Sequence, residues 1–124
     1  MIGYITLGTN DLPRAVGFYD VLMGLLGAKR MMENEHFIAW AKSPESPAFS
    51  ITKPFDGNSA TVGNGVMIAL AAENDEHVRA VYSKAIELGA VNEGEPGPRF
   101  EGGYYCAYFR DMDGNKLNVF CSGK

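Results

Sequence analysis

Short runs rich in β-branched and aromatic residues alternate along this chain with two stretches in which apolar residues recur every three or four positions. Residues 2–8 read as a first strand. Asn10-Asp11 then supplies a helix start, and Pro13 fits the first turn, where its missing N–H costs little. Ala15, Phe18, Tyr19, Leu22, Leu25 and Leu26 follow at helical spacing, and Gly27 provides the stop. Strands are expected at 28–33, 36–41 and 48–53, with Ser43-Pro44-Glu45-Ser46-Pro47 as turn chemistry between the last two. A loop at 54–59 precedes a second round. Residues 65–71 form a strand, and Asn74-Asp75-Glu76 place a cap and two acids at a helix start, where they suit its dipole. Val78, Val81, Tyr82, Ala85 and Leu88 make the apolar stripe that Gly89 ends. A short strand at 91–93 leads into a Gly/Pro-rich loop through Gly103, and strands at 104–110 and 116–121 flank the hairpin signal Asp111-Met112-Asp113-Gly114.

The second round repeats the first. Asn10-Asp11 recurs as Asn74-Asp75 and Leu26-Gly27-Ala28 as Leu88-Gly89-Ala90, at offsets of 64 (74 − 10) and 62 (88 − 26) that are close to half of the 124 residues. The expected fold class is α+β, one domain of two tandem βαβββ modules, the first over about 1–56 and the second over about 63–124. A ferredoxin-like sandwich would place two strands after each helix; here three follow.

Composition narrows the partners. A net charge of −4 with no basic cluster argues against nucleic acid and against anionic membranes. No apolar run approaches the roughly 20 residues of a membrane span, and the amino terminus lacks the pattern of a signal peptide. Cys106 and Cys121 lie in strand-like runs and read as buried free thiols of a cytoplasmic protein.

Several segments carry a family likeness: residues 4–12, Ala15 through Phe18-Tyr19-Asp20, Leu25-Leu26-Gly27, residues 65–70, Leu88-Gly89-Ala90, and residues 108–117 with their Asp-x-Asp-Gly-Asn hairpin. Together they resemble the glyoxalase, bleomycin-resistance and extradiol-dioxygenase (vicinal oxygen chelate) superfamily over essentially the whole chain. The resemblance implies a curled mixed sheet around a cleft, a homodimer, and in metal-dependent members a divalent ion held by His and Glu side chains. It places those ligand positions on Tyr4, near Ser50, on Met67 and on Asn118. None of the four is a His or a carboxylate, and none is charged at neutral pH. The expectation is therefore no metal and no other cofactor. His36 and His77 have no second ligand at useful spacing and read as rim or surface residues.

Alternation along the last strand sends Lys116, Asn118 and Phe120 to one face and Leu117, Val119 and Cys121 to the helix-facing core. Tyr4, Trp40, Ser50, Met67, Tyr105, Asn118 and Phe120 are the candidate ligand-binding residues, an apolar pocket with polar tips. Tyr104-Tyr105 follow Gly102-Gly103, beside a lid segment. Glu93, Glu95 and Glu101 form a solvated loop or an acidic edge for a cationic ligand. The leading functional reading is a metal-free protein that binds a small organic ligand, an aromatic one among the candidates. The alternatives are a metal-dependent lyase, isomerase or dioxygenase with atypical ligands, and a dimeric scaffold with a vestigial cleft. Whether the protein is an enzyme stays open at this point.

Overall fold

In the computed structural model, which describes residues 1–122, strand β1 (Tyr4–Gly8) runs into helix α1 (Leu12–Leu25). The helix starts where it does because the Asp11 carboxylate accepts the Arg14 N–H at 3.1 Å, satisfying one of the donors that a helix start leaves open. It stops at Gly27, whose φ of 85° lies in the left-handed region that favours glycine. Strands β2 (Lys29–Glu33), β3 (Phe37–Ala41) and β4 (Ala48–Thr52) follow. β1 pairs parallel with β4, and β3 pairs antiparallel with both β4 and β2, giving the order β1-β4-β3-β2.

The second half builds the same thing again. Strand β5 (Ile68–Ala71), helix α2 (Asp75–Glu87), and strands β6 (Val91–Pro98), β7 (Tyr104–Arg110) and β8 (Lys116–Ser122) form a sheet of order β5-β8-β7-β6, with β5 parallel to β8. The Asn74 side chain accepts the His77 N–H at 2.9 Å to open α2, and Asp75 and Glu76 occupy its first turn. The chain divides into two compact units between Val62 and Gly63. The α+β architecture of tandem βαβββ modules is the one expected, with the strands grouped into two four-stranded mixed sheets.

Strand boundaries shift by one or two residues elsewhere, as at β1, which starts at Tyr4 rather than at 2, and by more at β5 and β6. β5 begins at Ile68 rather than at 65, just beyond Gly65 with its φ of 101°. β6 continues to Pro98 instead of stopping near 93, because β7 offers it an edge and the glycines absorb two register shifts, one before and one after Gly94. A side chain at Gly94 would bring its Cβ to 2.9 Å from Tyr108 Cδ1.

Each helix covers one face of its own sheet. In the first unit the Tyr19 ring sits 4.9 Å from Phe49 and 6.0 Å from Trp40, centroid to centroid, with Phe18, Leu22, Ile38 and Ile51 buried around them. In the second unit Val78, Val81 and Ala85 of α2 are buried, as are Ala107, Phe109, Leu117 and Val119 of the sheet. What remains is the far face of each sheet, turned away from its helix. Cys106 and Cys121 are free and buried, and the register explains why they do not meet. Cys106 pairs with Phe120, whereas Cys121 pairs with Tyr105, so the thiols point to opposite faces.

Candidate functional site

Side-chain alternation puts Tyr4 and Thr6 of β1, Ala48, Ser50 and Thr52 of β4, and Phe37, Ala39 and Ala41 of β3 on the far face of the first sheet. Met32 joins them opposite Ala39, and Met31 sits at the irregularity in β2. Small side chains at Ala39, Ala48 and Ser50 leave depth in the middle, while Tyr4, Phe37 and the two methionines stand around it. The result is a hollow of ≈ 620 Å³ whose lining includes no Asp, Glu, Lys, Arg or His. At its floor the Ser50 hydroxyl donates to the Ile5 carbonyl at 2.6 Å and lies 2.9 Å from the Thr6 hydroxyl.

On the second sheet the far face carries Tyr104, Cys106, Tyr108 and Arg110 of β7 beside Lys116, Asn118 and Phe120 of β8. Tyr104 and Phe120 stack with ring centroids 5.4 Å apart. Tyr108 has the Arg99 guanidinium 5.8 Å and the Lys116 ammonium 5.4 Å from its ring centroid. The Tyr108 hydroxyl is held above its ordinary pKa by a hydrogen bond with Cys106 and by burial. Asn118 is only 1 % exposed; its Nδ2 donates to the Ala107 carbonyl at 3.3 Å, and its Oδ1 is buried with no partner among the described residues. Glu93, read from the sequence as part of a solvated loop or acidic edge, lies on β6 and pairs with Arg110 at 3.3 Å.

The structure therefore brings Tyr4 and Ser50 together on one far face and Asn118 and Phe120 together on the other. Met67 immediately precedes β5 and is 40 % exposed. Two candidates need correction. Trp40 belongs to the helix face: it is 1 % exposed, and its Nε1 donates to Asp20 Oδ1 on α1 at 2.9 Å. Asp20 in turn accepts from Arg30 at 2.6 Å, and that bond, with help from Trp40 and against burial, holds its carboxyl below the usual range. Tyr105 also faces its helix, with its hydroxyl accepting from Arg79 Nη1 of α2 at 3.1 Å and the same guanidinium over its ring. The physical reason is parity, since each lies one residue out of step with its far-face neighbours, Ala39 and Ala41 for Trp40 and Tyr104 and Cys106 for Tyr105. The far-face residues missed from the sequence include Thr6, Met31, Met32, Phe37 and Tyr108. Counting in twos from Tyr4, and across the hairpin from Asn118, finds Thr6 and Tyr108; the irregularity that admits Met31 leaves no such signal.

His77 is a positioning group within its own turn, its Nδ1 accepting the Glu73 N–H at 3.0 Å. His36 is exposed and lines a separate hollow of ≈ 740 Å³ with Thr9, Asn10, Lys53 and Phe55. Among the described residues no three or more His, Cys, Asp or Glu side chains are grouped to hold a metal ion. A phenol, a hydroxyl already hydrogen-bonded to a carbonyl, a thioether and a buried neutral amide do not make a donor set that fits a divalent cation.

The sequence pattern of the Glyoxalase/Bleomycin resistance protein/Dioxygenase superfamily matches residues 1–119. The chain belongs to that superfamily. Among solved structures it is similar to a glyoxalase/bleomycin resistance protein from Albidiferax ferrireducens T118, at 36 % identity and a TM-score of 0.88, with 98 % of each chain covered. Its fold is also that of a lactoylglutathione lyase from Agrobacterium tumefaciens, at 18 % identity and a TM-score of 0.70, covering 98 % of this chain and 92 % of that one. A Synechocystis sp. protein named probable lactoylglutathione lyase is 29 % identical over 116 residues, 89 % of this chain and 86 % of that protein. No helix among the described residues of this superfamily member is long and apolar enough to cross a membrane.

Proposed function

We propose that this glyoxalase-superfamily protein binds a small organic molecule, with aromatic compounds as the class that fits best, and that it does so without a resident metal. The observation that carries the reading is the hollow of ≈ 620 Å³ on the far face of the first sheet, with a floor of small residues and a rim of Tyr4, Phe37, Met31 and Met32. Thioethers and ring edges pack well on flat apolar ligands. The volume is in the range of small-molecule sites. Met67, and Asn118 and Phe120 on the far face of the second sheet, are proposed separately as ligand-binding residues of their own unit. We also read the protein as a homodimer, following its family, and as cytoplasmic, which the two free, buried thiols support.

A metal-dependent lyase is the second reading; the names of two relatives favour the lyase, and the donor set opposes the metal. One experiment separates them. The purified protein is titrated with an aromatic fragment set and followed by amide NMR, before and after equilibration with zinc, nickel and manganese and elemental analysis. Fragments are expected to shift Thr6, Ala39, Ala48 and Ser50 equally in both preparations, with metal well below one ion per chain. Stoichiometric metal that survives dialysis, or binding that requires it, defeats the metal-free reading.

A further inference from the structure

We infer that the molecule seated in the first-sheet hollow is uncharged and presents an O–H or N–H donor to the Thr6 hydroxyl oxygen. This rests on the ligand-binding reading above and adds the chemical class of the ligand. Ser50 Oγ lies 2.6 Å from the Ile5 carbonyl oxygen, and a carbonyl only accepts, so the single Ser50 proton lies between them. The 2.9 Å contact between the two hydroxyls must then carry the Thr6 proton toward Ser50. The reverse order would set the lone pairs of Ser50 and Ile5 against each other at hydrogen-bonding distance.

Thr6 is thus left with lone pairs only, and it is the exposed member of the pair, with Ser50 buried beneath it. A ligand carbonyl or ether oxygen at this point meets like partial charge, whereas a phenol or amide donor completes the chain. The other hydroxyls around the hollow do not alter this. Ser43 and Ser46 bond each other at 2.8 Å, which uses one of their two protons, and Thr52 donates to the Lys53 carbonyl at 2.9 Å. Tyr4, 70 % exposed at the rim, remains a donor for an acceptor at the ligand's outer end. With no ionised side chain in the lining, a charged ligand group would lose water without gaining a counter-ion.

Two probes of matched shape test this on the full-length protein: p-cresol, which has the donor, and its methyl ether, 4-methylanisole, which has only the acceptor. Titrations are followed on the Thr6, Ala39, Ala48 and Ser50 resonances. For the wild type, p-cresol is expected to bind about fivefold tighter, as one neutral hydrogen bond allows. In Thr6→Val, which keeps the branched shape a strand prefers, that advantage disappears, because p-cresol loses its acceptor and the ether is relieved of the repulsion. Ser50→Ala is the more telling variant, because it frees the Thr6 proton; the ether then strengthens and the preference shrinks or reverses. If neither probe moves these resonances, the ligand-binding reading fails and this one with it. If both probes bind the wild type equally, or if the preference persists in the variants, the hollow is a ligand site and the donor rule is overturned. Should Thr6→Val not fold, the Ser50→Ala result decides.

Discussion

Asp20 shows how much one carboxylate can organise. It accepts from Arg30 on β2 and from Trp40 on β3, so a residue of α1 ties the helix to two strands of the first sheet. Both bonds favour the ionised form, and the folded-state pKa lies below the ordinary 3.8. A depressed carboxyl pKa stabilises the fold above the unfolded value, and that contribution is lost as the pH falls through the folded one. Asp20→Asn should therefore lower stability at neutral pH and flatten its decline below about pH 4. Urea titrations at pH 6, 4 and 3 measure this; an unchanged pH profile in the variant would remove Asp20 from the account. Arg30 also bonds Glu33 at 2.6 Å, but both groups are substantially exposed and solvent weakens their pairing. The Asn118 Oδ1 is the opposite case, a buried acceptor with no donor among the described residues.

At the scale of elements, both helices are specified by side-chain caps, and the second more fully. Asn74 caps α2, two acids sit in its first turn, and His77 accepts the Glu73 N–H just ahead of the cap. Asn74→Ala is expected to destabilise the protein by about 1 kcal/mol, read from the midpoint of chemical denaturation; a loss well under half of that would mean His77 compensates. Such caps are why the order of elements was legible in the sequence: Asp11, Asn74, Gly27 and Gly89 are local signals, each acting within a few residues. The far faces were less legible, because a face depends on pairing with a strand distant in sequence. Alternation within β8 separated Asn118 from Val119 correctly. The same rule needed the β7–β8 register to show that Tyr108 shares a face with Asn118, and that Tyr105 shares one with Cys121. Trp40 was misplaced because an aromatic in a strand looks the same from either side until its partner across the sheet is known. The apolar stripe of α1 includes both Leu25 and Leu26, yet only Leu26 is buried; Leu25 is 40 % exposed, and Met23, outside the stripe, is buried as well.

For the molecule as a whole, the repeat is the main fact: two units, each with its first strand parallel to its last and its second strand at the edge. The homodimer proposed for it predicts a sedimentation-equilibrium mass near twice the 13.5 kDa of the chain at micromolar concentration. A mass that stays at the monomer value up to about 100 μM, a range in which a specific interface of standard size normally associates, would end that proposal. The parallel closure of each sheet also bears on the order in which the protein is made. β1 finds its partner at β4, with Thr6 opposite Ser50, and β1 to β4 each pair within the first sheet. Once the ribosome has released the chain through Thr52, every strand of the first sheet has its neighbours. The first half need not wait, unpaired and exposed, for translation of the second.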